Sequence, residues 1–288
     1  SDVYKRQEKE ILVKKPKKLS FPFYNFYPQR NIKIPPPNLG EKAGIAIFFP
    51  ESGGRRILYR KNITKKMAFA SLTKLMTAMV ASDIYSPQKM VTVSRSAVAT
   101  LGESGRLSPG EKISVEGLLS LALLVSSNDA STALAEILGY KKFVNLMNKK
   151  AKEIGLLNTH FENPHGLDEK GHFSTPLDLA LMTRYSIIHY KKIWKILATK
   201  EKDIISYDYL GRQIIHHAKN TNKLLTKEGI IGGKTGYTEE AGDAMILACN
   251  PPGKAKGKIV IVLLGLPFGE RLKKSYELYL WIKKAYFW

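Results

Sequence analysis

Three short segments of the chain carry side chains whose types and spacing could perform nucleophilic chemistry. In the first, MAFASLTKLMTAMV, Ser71 precedes Lys74 by about one helical turn. A serine hydroxyl is a weak nucleophile until a neighbouring base removes its proton. Lys74 can reach Ser71 from the next turn, and burial with nearby positive charge can lower a lysine pKa enough for it to serve as that base. Taken alone, the pair also fits a helix start with a snorkelling lysine.

The other two segments supply groups that such a nucleophile would need. Ser126 and Asn128 lie where an apolar run breaks before the next helical segment, and Lys234-Thr-Gly236 lies in a glycine-flanked β-prone run. Ser126 could relay a proton to a leaving amine, and Asn128 could orient a substrate amide and Lys74. Lys234 adds positive charge that attracts an anionic substrate and favours the neutral form of Lys74. Gly236 leaves room for a peptide to pair with the strand.

A helix must hold the first pair. The apolar residues that follow Ser71 recur at i, i+3, i+4, i+7 and i+8, which is one face of a helix. They are Leu72, Leu75, Met76, Met79 and Val80. This face predicts a buried helix whose first turn carries Ser71.

Strands from both ends of the chain must hold the third motif. Residues 43–62 contain two apolar runs around Glu-Ser-Gly-Gly, which predicts a β-hairpin. Near the other end, GIIGGKTGYT, DAMILACN and GKIVIVLLGLPF are rich in β-formers. Strands from both ends can pair antiparallel, so the sequence predicts an α/β fold of the α+β type. Helices flank one antiparallel sheet in this fold, and the middle of the chain adds a helical subdomain.

Capping residues mark the helices of the middle and the end. SVEGLLSLALLV predicts a helix that stops at SSNDAS, and Asp129 is expected to cap the next helix, which Gly139 would end. Ser174 or Thr175 is expected to cap another helix that has Pro176 in its first position. The segment ERLKKSYELYLWIKKAYFW predicts a final helix.

Composition limits the classes of partner. The chain has 288 residues, a formal net charge of +21 and a single cysteine, Cys249, so no internal disulfide can form. The charge favours anionic surroundings, and an anionic cell-wall or membrane surface is a candidate partner. The lysines are spread along the chain without a zinc-finger spacing or an RNA-binding aromatic signature, so no specific nucleic-acid site is expected. The histidines lack metal-ligand spacing, and we expect neither a metal nor a cofactor.

The two ends of the chain differ from its middle. Residues 1–40 mix lysines, aromatics and prolines, which predicts an N-terminal extended arm or linker before a catalytic domain at 41–288. No apolar run approaches the roughly 20 residues that span a bilayer. The chain begins without Met or the apolar core of a signal peptide, so an export segment is not visible.

The three motifs, in this order, resemble the S-x-x-K, S-x-N and K-T-G set of penicillin-binding proteins and class A β-lactamases. The chain resembles the low-molecular-mass penicillin-binding proteins that act as serine-type D-alanyl-D-alanine carboxypeptidases. SSNDASTALAE, IGLLNTHFENPHGLDEKGHFSTPLDLALMTR and GGKTGYTEEAGDAMILA extend the similarity to about residues 43–287. Many members carry a further domain and a membrane anchor at the C-terminal end. Because this sequence stops at Trp288, we expect any attachment to come from the N-terminal side.

The resemblance implies which groups carry the reaction. Ser71 is implied as the acylated nucleophile and Lys74 as its general base. Ser126 is implied to complete the proton path, and Asn128 to orient the substrate. The backbone N–H groups of Ser71 and Tyr237 are implied to form the oxyanion hole, where losing one donor typically costs ~100-fold or more in rate.

The resemblance also implies which groups bind the substrate. Lys234 and Thr235 are implied to hold its terminal carboxylate, and Gly236 to leave space beside the strand. Arg271 matches a family arginine near the carboxylate end of the site. The implied substrates are peptidoglycan stem peptides that lose a terminal D-alanine. β-Lactam antibiotics are implied as covalent inhibitors, and the implied location is extracytoplasmic, in the periplasm or at the outer face of the cell membrane.

Three alternatives stay open at this point. A D,D-endopeptidase that cuts cross-links uses the same chemistry. A serine β-lactamase needs a base for rapid deacylation, and Glu162 lies in the right region, although FENPHG lacks the pattern of that loop. A non-enzymatic basic module that binds cell-wall polymer or nucleic acid would explain the charge alone. His165 is expected to be structural, since no G-x-S-x-G elbow accompanies it and Lys74 already supplies a base.

Overall fold

The computed structural model describes residues 28–102 and 105–288. In chain order the strands are β1 (Gln29–Arg30), β2 (Ala43–Pro50), β3 (Arg56–Lys61), β4 (Met90–Thr92), β5 (Lys112–Ser114), β6 (Glu201–Tyr207), β7 (Gln213–Lys219), β8 (Ile230–Thr238), β9 (Gly242–Cys249), β10 (Gly257–Leu266) and β11 (Tyr286–Phe287). The α-helices are α1 (Lys74–Ile84), α2 (Arg95–Val98), α3 (Val115–Leu124), α4 (Asn128–Glu136), α5 (Tyr140–Ile154), α6 (Pro176–His189), α7 (Lys191–Leu197) and α8 (Arg271–Ala285).

The main sheet joins the two ends of the chain, as predicted. Its strands are antiparallel and lie in the order β3-β2-β10-β9-β8. In β2, Ile45 and Ile47 face a core shared with the helices of the middle, whereas Ala46 and Phe48 face a second core formed with α8. Successive residues of a strand point to opposite faces, so a strand covered on both faces is apolar throughout. The helices therefore lie on both sides of the sheet, and β8 lies at its edge.

A helical subdomain follows the first hairpin. Helices α1, α3, α4 and α5 contact one another, and a second sheet in the order β4-β5-β6-β7 packs against α3. The β6–β7 hairpin was not among the predicted elements. Among the described residues, no helix combines the length and apolarity needed to cross a bilayer.

Two predicted helix starts need correction. Ser127, not Asp129, caps α4, because its side chain accepts a hydrogen bond from the Ala130 N–H at 2.9 Å and the helix begins at Asn128. Asp129 lies in the first turn of that helix. The Ser71 helix begins as a 3-10 turn over Ala70–Thr73 and becomes α-helical at Lys74. Thr175 caps α6 with Pro176 in its first turn, as predicted.

The described part of the predicted N-terminal arm packs against the end of the chain. Gln29 and Arg30 pair with β11, and the Trp281 indole N–H donates to the Pro35 carbonyl at 2.6 Å. Leu39 is buried. Residues 1–27 lie outside the described residues, and the division at residue 40 stays a prediction.

Candidate active site

The first wall of the site is the turn that carries Ser71. Ala70, the residue before it, has φ +48°, a left-handed conformation that costs a non-glycine residue about 1–2 kcal/mol. Phe69 and Leu72 are fully buried on either side, so packing holds the strained turn in place. As a residue of the first helical turn, Ser71 has an N–H that the helix itself leaves without an acceptor.

Lys74 is buried beside the serine. Its Nζ lies 2.6 Å from Ser71 Oγ, 2.7 Å from Asn128 Oδ1 and 2.7 Å from the His165 carbonyl oxygen. The side chain is 0% exposed, and a buried amine is stable only where acceptors surround it. The amide and carbonyl oxygens can only accept, so two N–H hydrogens of Lys74 are directed away from Ser71.

The turn between α3 and α4 lies on the same side of the cleft as Ser71 and completes the first wall. Ser126 has φ +64°, again outside the usual range for a residue with a side chain. This conformation directs its hydroxyl towards the opposite strand, where Lys234 Nζ donates to Ser126 Oγ at 2.8 Å. Asn128 bridges the cleft rim, because its Nδ2 donates to the Leu101 carbonyl at 2.6 Å while its Oδ1 accepts from Lys74.

Strand β8 forms the opposite wall. Lys234 is 1% exposed, and its Nζ also donates to the Thr235 carbonyl at 2.8 Å. The Thr235 hydroxyl bonds to that of Thr221 at 2.7 Å. A Cβ on Gly236 would lie 3.1 Å from the Ser71 nitrogen, so the strand passes close to the serine turn. Gly236 therefore allows the two walls to approach, as well as leaving space beside the strand.

The two walls enclose a cleft of about 360 Å3. Its lining residues are Ser71, Gly102, Asn128, His165, Gly166, Leu167, Tyr237 and Thr238. The structure thus brings together all three predicted motifs, with Ser71 facing the cleft and the two lysines buried behind it.

Arg271 lies at the start of α8, behind the third motif. Its Nη1 donates to Asp243 Oδ1 at 2.9 Å and contacts the Gly236 carbonyl oxygen at 3.3 Å. Asp243 is fully buried, whereas the Arg271 side chain is 29% exposed. The arginine therefore supports β8 from the far end of the K-T-G motif and keeps part of its guanidinium in solvent.

Sequence reasoning missed two functional contacts of the loop before α6. The His165 carbonyl accepts from Lys74, and Gly166, at φ +91°, packs against the serine turn. Burial, and secondarily the charge of Lys74, lowers the pKa of the His165 imidazole to about 3, so the ring is neutral at pH 7. The segment NPHGL is part of the family resemblance, but no spacing rule connects a backbone carbonyl to a lysine 91 residues earlier in the chain.

A protein-family model described as D-alanyl-D-alanine carboxypeptidase matches residues 35–265. The chain belongs to this family. The D-alanyl-D-alanine carboxypeptidase DacF of Bacillus subtilis is 38% identical over 213 residues, which are 70% of this chain and 53% of the relative. A D-alanyl-D-alanine endopeptidase of Pseudomonas aeruginosa is 31% identical over 224 residues, covering 74% of this chain and 71% of the relative.

Solved structures of the penicillin-binding class share the fold. The crystal structure of the Streptomyces K15 DD-transpeptidase has a TM-score of 0.79 and 27% identity, and the match covers 86% of this chain and 99% of that one. The predicted family and fold are therefore confirmed. The chain spans only about half the length of the first curated relatives that it matches.

Proposed function

We propose that the chain is a serine D,D-carboxypeptidase that removes the terminal D-alanine from peptidoglycan stem peptides through a Ser71 acyl-enzyme. One observation carries the proposal. Lys74 Nζ contacts two oxygens that only accept, those of Asn128 and His165, and it contacts Ser71 Oγ at 2.6 Å. In a neutral amine the two hydrogens go to those acceptors, so the nitrogen lone pair faces the serine hydroxyl. This arrangement suits a general base.

The acylation step follows from these contacts. Lys74 takes the Ser71 proton while Oγ attacks the carbonyl carbon of the penultimate D-alanine. The resulting oxyanion is placed against the backbone N–H groups of Ser71 and Tyr237. Lys234 donates to Ser126 Oγ, which leaves the Ser126 hydroxyl hydrogen for the leaving amine, and the proton that Lys74 took from Ser71 then replaces it on Ser126. The amine departs as D-alanine, and water later hydrolyses the ester at Ser71.

The strand wall supplies recognition of the substrate. Lys234 provides a buried positive charge, and the hydroxyl of Thr235 lies on the adjacent residue of β8. We propose that these two groups and Arg271 bind the terminal carboxylate of the peptide, because cationic and hydroxyl donors form strong hydrogen bonds to a carboxylate. Gly236 lets the peptide lie beside β8.

Acylation by a labelled penicillin tests the proposal. The expected result is a mass increase on the peptide that contains Ser71, with slow loss of the label, because a β-lactam presents the same acylating carbonyl to the serine. Ser71→Ala is the matched control and should stay unlabelled. A folded wild-type protein without a modified Ser71 would overturn the assignment.

A second candidate is a D,D-endopeptidase, since the Pseudomonas aeruginosa relative carries that name. Release of D-alanine from a defined pentapeptide, compared with cleavage of cross-linked dimers, separates the two activities. A β-lactamase is less well supported. Glu162 does not line the cleft, and its carboxylate lies 3.4 Å from His160 Nδ1. Rapid hydrolysis of a chromogenic cephalosporin would reverse this choice.

The setting of the reaction is part of the same proposal. Peptidoglycan stem peptides lie outside the cytoplasmic membrane, so we propose that the chain acts in the periplasm or at the outer face of the cell membrane. The net charge of +21 suits an anionic cell-wall or lipid surface. Binding of wild type and Ser71→Ala to an anionic polymer can be measured at increasing salt concentration. Binding that weakens with salt and is equal in both proteins would show that this surface contact is separate from catalysis. If Ser71→Ala kept every activity, a non-enzymatic binding module would explain the chain better.

A further inference from the structure

A series of hydrogen-bonded polar side chains lies behind the nucleophile, outside the residues that line the cleft. Thr73 is fully buried and His172 is 6% exposed. The Thr73 hydroxyl lies 2.8 Å from His172 Nε2 and 2.8 Å from the Ala70 carbonyl oxygen. His172 stacks on Phe69 with 4.8 Å between ring centroids.

The direction of these hydrogen bonds is fixed by the second ring nitrogen. The Glu162 backbone N–H donates to His172 Nδ1 at 3.1 Å, so Nδ1 carries no proton. The proton of the neutral ring is therefore on Nε2, which donates to the Thr73 oxygen. Thr73 in turn donates its only hydrogen to the Ala70 carbonyl. Burial lowers the pKa of His172 to about 3, which keeps the ring neutral at pH 7.

The last acceptor in this series of hydrogen bonds is the carbonyl oxygen of Ala70, the strained residue before Ser71. Ala70 has φ +48°, and its carbonyl is held from two sides. Thr73 donates to it, and a Cβ on Gly166 would lie only 2.0 Å from the same oxygen. The Ala70 carbonyl and the Ser71 N–H belong to one planar peptide unit, so fixing the oxygen also fixes the direction of the N–H.

We infer that His172 and Thr73 are positioning residues, which hold the Ala70–Ser71 peptide plane so that the Ser71 N–H points into the oxyanion hole. The inference rests on the proposed function, because it assigns a purpose to that N–H. The oxyanion forms only during acylation. Loss of the Thr73 hydroxyl therefore slows the acylation step and leaves the initial affinity for the acylating agent nearly unchanged.

The test measures the penicillin acylation rate constant and the dissociation constant of the first complex separately, by stopped-flow with a fluorescent penicillin. Thr73→Val should lower the acylation rate constant about tenfold or more, because misdirected donors lose part of the transition-state stabilisation. Thr73→Ser keeps the hydroxyl and should stay within about twofold of wild type. Thr183→Val is the matched control, since Thr183 is also buried and donates to a carbonyl, at Leu179, away from the site.

Two substitutions of the histidine extend the test. His172→Gln can still present a donor near the position of Nε2, whereas His172→Asn can present an acceptor to the Glu162 N–H but does not reach Thr73. We expect the Gln variant to acylate faster than the Asn variant. Melting temperatures measured on every variant distinguish folding defects from acylation defects, and the Thr73 pair decides the question if either histidine variant fails to fold.

The outcomes separate the two levels of the proposal. A wild-type protein that penicillin does not acylate would overturn the proposed function and this inference with it. A wild-type protein that acylates, with Thr73→Val equally fast, would overturn this inference alone. Equal slowing in Thr73→Val and Thr73→Ser would also overturn it, because the slowing would then not depend on whether the hydroxyl is present.

Discussion

The cleft has a turn wall, which carries Ser71 and Ser126, and a strand wall, which is formed by β8. The two walls are built from different kinds of backbone. On the Ser71 side, the non-glycine residues Ala70 and Ser126 have φ of +48° and +64°. On the opposite side, β8 keeps a regular antiparallel register with β9 from Gly232 to Thr238, with Lys234 opposite Ile246. Left-handed conformations at non-glycine residues cost free energy, about 1–3 kcal/mol each, and persist only where the surroundings enforce them.

This difference separates the two tasks of the site. In the proposed mechanism the turn wall presents the groups that meet the reacting carbonyl, and these groups need orientations that regular structure does not provide. In the same proposal the strand wall presents groups that recognise an extended peptide, and an ordinary sheet edge already has the right shape. Of the two walls, the one to which we assign the chemistry carries the left-handed non-glycine residues.

The largest expected effect breaks the turn wall at its base. Lys74→Ala removes the side chain that contacts Ser71 Oγ, Asn128 Oδ1 and the His165 carbonyl oxygen together. We expect the rate of acylation by penicillin to fall about 1000-fold. Lys150→Ala is the control, because Lys150 is ion-paired to Asp83 at 2.7 Å away from the cleft. A Lys74→Ala rate within tenfold of wild type would contradict the assignment of the base.

The next effect tests how tightly the turn wall is held from behind. Gly166→Ala places a Cβ 2.0 Å from the Ala70 carbonyl oxygen at a φ of +91°, whereas Gly155→Ala, at φ +84°, meets nothing within 4 Å. We expect the free energy of unfolding to fall by about 3 kcal/mol or more for Gly166→Ala. Gly155→Ala should cost about 1 kcal/mol. Urea unfolding measures both, and equal losses would show that the contact with Ala70 is unimportant.

Substitutions in the strand wall should change the affinity for substrate and leave the acylation rate constant nearly unchanged. Thr235→Val removes a hydroxyl that we assign to the substrate carboxylate, so we expect about tenfold weaker initial binding of substrate or penicillin, at the lower end for one charge-assisted hydrogen bond. The acylation rate constant should change little. Thr235→Ser should restore binding. If Thr235→Val slowed acylation as strongly as Thr73→Val, the division of tasks between the walls would be wrong.

The smallest effect is a pH dependence of the turn wall. Burial lowers the pKa of His165 and of His172 from 6.5 to about 3. The unfolded chain therefore binds more protons than the folded chain between these values, and stability is lost as pH falls from about 6.5 to about 3. Acid should loosen the serine turn before the sheet, which hydrogen exchange of residues 70–75 against β9 can measure. His172→Asn should weaken this dependence.

The sequence predicted most of the residues of the candidate site and part of the fold. The spacing of Ser71 and Lys74 and the later Ser126 and Lys234 were sufficient to predict one site, and the structure brings them together. Strand pairing between the ends followed from the apolar runs. The cap at α4 was misassigned because Ser127 and Asp129 are both good capping types two residues apart, and only tertiary packing selects between them.

Other features had no local signal. The left-handed conformation of Ala70 is imposed by buried neighbours and not by its own side chain, since alanine prefers the right-handed region. The ion pair between Arg271 and Asp243 joins residues 28 positions apart, and it depends on how α8 lies across the sheet. Such contacts are properties of the assembled fold, which a single sequence without alignment does not reveal.

Strand β2 of the main sheet has a consequence for the order in which the chain acquires its structure. β2 pairs with β3 and with β10, so one edge of β2 stays without its partner until residues 257–266 have been synthesised. Contacts between positions so far apart form slowly, whereas the helices of the middle contact neighbours nearby in the sequence. All eight residues of β2 are buried in the finished protein. In a newly made chain the apolar segment AGIAIFFP therefore exposes one strand edge, which is prone to aggregation until β10 forms.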